Sequence, residues 1–196
     1  MISNMDTTTA KSWFTLPIII IVVLVLAVLY GGAKYNSLVR QNEAVTTQWA
    51  QVESQYQRRF DLIPNLVSSV QGAMKQEKEV FSAIADARTH YAGATSPDEK
   101  AAAATQVEGS LARLLLIMEN YPQLKSIDTV QSLIAELSGT ENRVAVERMR
   151  YNEIVRDYNV SVKSFPGSLI AGLFGFAPRT PFEAQEGAET VPKVTI

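Results

Sequence analysis

Hydrophobic positions set the rhythm of this chain, and the rhythm changes abruptly near residue 34. No charged residue occurs between Lys11 and Lys34, and the stretch from Trp13 to Ala33 contains the apolar run LPIIIIVVLVLAVLY, Leu16 to Tyr30. About 21 residues rising 1.5 Å each make roughly 31 Å of helix, the thickness of a bilayer's hydrocarbon core. The pattern predicts a membrane span over residues 13–33, with Trp13 and Tyr30 near its ends, where amphipathic rings favour the headgroup region. Beyond it the apolar positions become periodic. Tyr35, Leu38, Asn42, Val45, Trp49, Val52 and Tyr56 alternate in threes and fours, with Phe60 and Ile63 continuing the series, as on the seam of one long helix. No Gly or Pro separates Ala33 from Ile63, so the span is expected to run without a break into the first helix of a bundle.

Pro64, inside RRFDLIPNLV, is expected to kink or restart that helix, with Asp61 capping the new first turn. The periodicity resumes through Leu66, Val70, Met74, Phe81, Ile84 and Arg88 and ends near Tyr91. The loop AGATSPDEK then carries a start signal: Ser96 as cap, Pro97 in the first turn, and Glu99 completing a capping box. A third helix follows through Ala101, Ala104, Val107, Leu111, Leu114, Met118 and Tyr121 until Pro122. With Ser126 as candidate cap, a fourth carries Val130, Leu133, Leu137, Val144, Tyr151, Ile154, Tyr158 and Val162 and stops before Pro166. SFPGSLIAGLFGFAP is apolar and glycine-rich yet too short to span a bilayer, so it is expected to pack on the bundle or lie at an interface.

The predicted fold is all-α, an N-terminal transmembrane helix continuous with an antiparallel up-and-down bundle of about four long helices. Its divisions are a flexible N-terminal arm over 1–12, the span over 13–33, the bundle over 34–165, the apolar glycine-rich segment over 166–177, and a flexible Pro- and Glu-containing tail over 178–196. A cleavable secretory signal is the competing reading of the span, because Gly31 and Ala33 offer small residues before Lys34. The thin basic n-region, with Lys11 offset by Asp6, and the length of the apolar run favour an uncleaved anchor.

Charge and composition mainly exclude. A net charge of −2 with both signs interspersed leaves no basic surface for nucleic-acid phosphates. The absence of cysteine removes disulfides, thiolate nucleophiles and thiolate zinc sites. With His90 as the single histidine, neither a histidine-based triad nor a multi-histidine metal site is expected, and no Glu-x-x-His pair or phosphate-binding Gly-Lys loop occurs. The sequence therefore offers no catalytic residue, cofactor, metal or small-molecule substrate. An enzyme would need carboxylates such as Asp61, Glu141 and Glu147 to converge.

The distinctive chemistry is polar. Arg58, Arg59, Asp61 and Asn65 surround Pro64, and the fourth helix carries Glu141, Asn142, Arg143, Arg148, Arg150, Asn152, Arg156 and Asn159 among its apolar positions. Tyr-Asn occurs at Tyr151–Asn152 and again, one heptad later, at Tyr158–Asn159, so both copies share a helix face. One reading is a satisfied polar layer that sets helix pairing. The other is an interaction face for a partner protein or a second copy, made of Arg58, Arg59, Asp61, Asn65, Arg150, Tyr151, Asn152, Arg156, Tyr158 and Asn159.

With these residues in view, the sequence resembles the LemA family of bacterial membrane proteins. The likeness is carried by YNSLV (35–39), RRFDLIPNLV (58–67), ENYPQLK (119–125), TENRVAVERMRYNEIVRDYN (140–159) and FPGSLIAGLFGF (165–176). It implies one N-terminal membrane helix followed by an antiparallel bundle, no established enzymatic activity, and relatives that include a magnetosome-forming member. It also implies a bacterial inner-membrane address with the bundle on the periplasmic side. The slight excess of positive charge flanking the span leans towards the cytoplasmic alternative. The expected function is a structural or scaffolding protein that contacts membrane lipid and self-associates, possessing a capacity to shape or organise the membrane. The alternative is a membrane-tethered interaction module that recruits or regulates a protein partner, such as a protease or signalling protein.

Overall fold

The structure, a computed structural model, describes residues 9–182, leaving the side chains of residues 9–15 and of residue 125 undescribed. The arm over residues 1–8, the tail beyond 182 and the ring of Trp13 lie outside that description. Among the described residues every regular element is helical, as the periodicity predicts. The order is α1 (Thr9–Val70), α2 (Lys78–Gly93), α3 (Pro97–Met118), a 3₁₀ turn (Pro122–Ser126), α4 (Asp128–Lys163) and α5 (Gly167–Phe174).

α1 is one helix of 62 residues and joins the apolar run to the bundle with no linker, starting within the stretch expected to be a polar arm. It also passes through Pro64, which corrects the expected restart. A proline inside a helix costs about 3 kcal/mol, through one lost backbone bond and a clash with the preceding turn. Here Phe60, Ile63, Leu66 and Val70 are all buried on either side of it, and their packing outweighs that loss. Asp61 is consequently a mid-helix residue, accepting a hydrogen bond from Gln57 at 3.0 Å, and caps nothing. The break comes instead at residues 71–77, where the backbone turns on Val67 and Val70 carbonyls and Met74 plugs the core. Carrying one heptad phase across that turn misplaces the face of α2, which buries Val80, Ile84, Ala87 and Tyr91 rather than Phe81 and Arg88.

The chain forms two compact units. Among the described residues, one comprises 44–157 with 179–182. Short connections between α1, α2, α3 and α4 require neighbouring helices to alternate in direction. The core is built from Val52, Tyr56, Phe60 and Ile63 of α1, Val107, Leu111 and Leu114 of α3, and Val130, Leu137, Val144 and Val155 of α4. α3 opens on the predicted capping box. The Ser96 hydroxyl accepts from the Glu99 amide at 3.2 Å, and the Glu99 carboxylate accepts from the Ser96 amide at 3.0 Å. The Thr95 amide, which also donates to the Glu99 carboxylate at 3.0 Å, and after it the Ser96 amide hold that carboxyl below its ordinary range.

The other unit comprises the described residues 9–43 with 158–178. It contains the exposed apolar part of α1, the end of α4, and α5. The sharp passage from α4 to α5 depends on Gly167, where a Cβ would run into the Ser161 carbonyl. α5 ends on Gly175, whose φ of +75° suits glycine, while the Phe176 amide donates back to Ala171 at 2.9 Å.

Candidate functional site

In the unit of residues 44–157 and 179–182, α1 and α4 together present Trp49, Arg148, Tyr151 and Asn152 to one segment of the chain. Trp49 and Tyr151 are seam positions, so packing fixes both rings, which meet edge to face with centroids 5.6 Å apart. Phe182 enters against them, stacked on Trp49 at 5.5 Å and tilted 70° to Tyr151 at 5.4 Å. The Arg148 guanidinium lies 4.8 Å from the Phe182 ring centre, a cation–π contact. Asn152 holds the backbone of the same residue at both ends. Its Oδ1 accepts from the Phe182 amide at 2.7 Å and its Nδ2 donates to the Phe182 carbonyl at 2.9 Å. The Tyr151 hydroxyl donates to the Thr180 carbonyl at 3.5 Å, and the Thr180 hydroxyl donates to Asp98 at 3.4 Å. Burial pushes the Tyr151 phenol up, the Asp98 charge adds to this, and Arg179 opposes both.

Sequence reading placed residues 178–196 in a flexible tail and had no role for Phe182. The available signal was a lone aromatic between Pro181 and Glu183, in a stretch otherwise polar and proline-containing. The clamp is a recognition geometry: an aromatic slot for one side chain and an amide that satisfies both main-chain groups of that residue.

Behind this surface lies a band of charged and phenolic groups. Arg59 is 5% exposed, and only its Nη2 has an acidic neighbour, Glu141, at 3.5 Å. Its Nε and Nη1, like the hydroxyls of Tyr56 and Tyr91, are buried without a hydrogen-bond partner. Glu108 lies 3.7 Å from Arg148. Burial nevertheless leaves the Glu108 carboxyl above its ordinary range, because desolvation outweighs the attraction of Arg148 and Arg59. Burial raises the Tyr56 phenol strongly and pushes that of Tyr91 up to about 12. Glu147 accepts from Gln48 at 2.7 Å and from Arg150 at 2.7 Å, while Lys100 pairs with Glu53.

The remaining candidate residues are dispersed. Arg58, Asp61 and Asn65 are exposed on α1. Arg150 is exposed, and Arg156 is exposed and pairs with its neighbour Asp157 at 3.2 Å. In the other unit Tyr158 is buried and its hydroxyl donates to the Ala177 carbonyl at 3.1 Å, while Asn159 is half-buried. Both Tyr-Asn pairs on α4 thus have a tyrosine bonded to a carbonyl of the C-terminal stretch. His90 is exposed and lies 3.3 Å from the Gln106 carboxamide. Among the described residues no cluster of three or more His, Cys, Asp or Glu is positioned to hold a metal.

In the unit of residues 9–43 and 158–178, the large side chains from Leu16 to Tyr30 are 50–73% exposed. A core helix of a soluble protein buries such residues, so this stretch fits a membrane anchor. Tyr30, at its end, is exposed and has the Lys34 ammonium 5.9 Å above its ring.

Fold and anchor together define a membrane-associated helical bundle. The sequence matches the profile of the LemA family over residues 48–196, and the chain belongs to that family. It is similar to magnetosome proteins MamQ 1 and MamQ 2 of Paramagnetospirillum magneticum, each 26% identical over 183 aligned positions that cover 80% of this chain and 67% of the relative. It is also similar to MamQ of Magnetospirillum gryphiswaldense, 26% identical over 188 positions covering 83% of this chain and 69% of the relative.

Proposed function

We propose that this protein is a scaffold of the bacterial inner membrane that associates with further copies of itself, with its bundle in the periplasm. The observation that carries the reading is the single helix shared by anchor and bundle. A protein that only needed tethering would be served by a flexible linker, whereas here one helix continues from the apolar run into the bundle without a break. Met149 and Val146 on α4 and Leu116 on α3 remain exposed and supply apolar surface for a second copy. The names of its relatives attach them to a cellular structure, the magnetosome, which suits a part in construction. Mass photometry of the detergent-solubilised full chain at cellular concentration tests self-association: discrete oligomers are expected, and a strict monomer defeats the reading. Protease protection in spheroplasts tests sidedness, with periplasmic exposure expected.

The Phe182 clamp favours a second reading, a tethered interaction module that takes up an aromatic residue of a partner protein in exchange for its own. Replacing the exposed Arg150 and Arg156 by Glu separates the two. Loss of the oligomer supports the scaffold. Loss of a co-purified partner with oligomer size unchanged supports the module.

A further inference from the structure

α5 buries only a narrow face. Gly167 and Ala171 are buried, Ile170 faces Gly31 of α1 with its Cδ1 3.7 Å from where a Cβ on that glycine would lie, and Phe174 and Phe176 pack on Tyr35 with centroids 4.7 and 5.8 Å away. The opposite side is apolar and bare: Phe165 is 81% exposed, Leu169 64% and Leu173 76%. Leu169 and Leu173 lie four residues apart on α5 and so share one apolar stripe, and Phe165 is exposed in the turn just before it. No charged residue occurs from Ser164 to Pro178, which is unusual for a water-facing helix.

What covers the stripe follows from where α5 sits within its unit. Gly31 and Tyr35 close the apolar run of α1, whose side chains up to Tyr30 are exposed along their whole length. Polar groups shortly after that run, Lys34, Ser37 and Gln41, line a cavity of about 180 Å³ with Ser161 and Ser164 beside the start of α5. The stripe is therefore continuous with the lipid-facing surface of the anchor and lies where hydrocarbon gives way to headgroups. We infer that α5 is an interfacial helix, with Phe165, Leu169 and Leu173 inserted into the acyl edge of the bilayer as a second membrane contact. A helix lying in that plane anchors by area of apolar side chain rather than by length, which is how a helix of 8 residues contributes without spanning. The inference does not depend on self-association, since each copy carries both contacts.

The chain has no native cysteine, so single-cysteine variants report one position each. Leu169→Cys, Leu173→Cys and, as a water-exposed reference on α2, Ala85→Cys are labelled with an environment-sensitive fluorophore in the full chain. They are then reconstituted into phosphatidylethanolamine–phosphatidylglycerol vesicles. Expected at positions 169 and 173 are blue-shifted emission, several-fold stronger quenching by a nitroxide near the glycerol end of the acyl chain than by one near its methyl end, and protection from aqueous iodide. These should be unchanged when the protein is diluted in lipid. Emission and iodide quenching equal to those at position 85 would overturn the inference. So would protection from both quenchers, which would mean that protein covers the stripe.

Discussion

Asn152 satisfies the amide and the carbonyl of Phe182 at once, at 2.7 and 2.9 Å, and no neighbouring side chain repeats either bond. Asn152→Ala should therefore release the segment while leaving the bundle folded. A net contribution of about 1.5 kcal/mol for such a bond corresponds to roughly tenfold faster hydrogen exchange at the Phe182 amide, which NMR or mass spectrometry can read. Tyr56 and Tyr91 make the opposite case, since each buries a hydroxyl without a partner. Removing an unsatisfied buried hydroxyl relieves a desolvation penalty, so Tyr56→Phe and Tyr91→Phe should be neutral or stabilising by up to about 1 kcal/mol in denaturant titrations at neutral pH. Their phenols titrate above the ordinary value of 10.0, Tyr91 at about 12, so the folded state holds them neutral where the unfolded chain would ionise them. Stability from these groups is complete below pH 10 and is lost as pH rises from about 10 towards 12. Tyr91→Phe should flatten that alkaline loss in a series of thermal melts.

Among the elements, α3 shows most plainly how local sequence sets a boundary. Its box of Ser96 and Glu99 was legible because capping is a contract between residues three apart, needing nothing from the rest of the fold. Ser96→Ala should destabilise the bundle by about 1 kcal/mol, measured by chemical denaturation. The seam of α1 was legible for a related reason, in that a long helix repeats its buried face often enough to declare its period: Leu38, Val45, Trp49, Val52, Tyr56, Phe60 and Ile63 are all buried. Pro64 left a kink and a restart both open because its penalty is local, whereas the burial of Ile63, Leu66 and Val70 that keeps α1 continuous through it is tertiary. The phase of α2 was misread for want of the turn at 71–77, which has Gly72 as its only local mark. The clamp was half legible. Tyr151 and Asn152 declared themselves by repetition, but their ligand is a residue some 30 positions away whose approach no spacing rule encodes. Glu108 in the buried charged band was likewise silent, since burial of a glutamate is decided by what lies across the bundle.

At the scale of the whole molecule, the membrane anchor, the bundle and the C-terminal segment are distributed over few covalent elements. α1 and α4, at 62 and 36 residues, contribute to both compact units, so neither unit is a separable piece of sequence. The absence of a linker in α1 bears on how long the protein stays where it is made. Proteases bind substrate as an extended strand, and an intact helix withholds that conformation unless it opens locally. From Lys34 to Ile63 every backbone amide is inside α1. Limited digestion of the reconstituted protein should thus produce no cut between those residues, whereas a chain carrying a Gly-Ser insertion after Ala33 should shed its bundle within the same digestion. A tether that continues as helix into the bundle presents no extended segment between Lys34 and Ile63 at which a protease could release it.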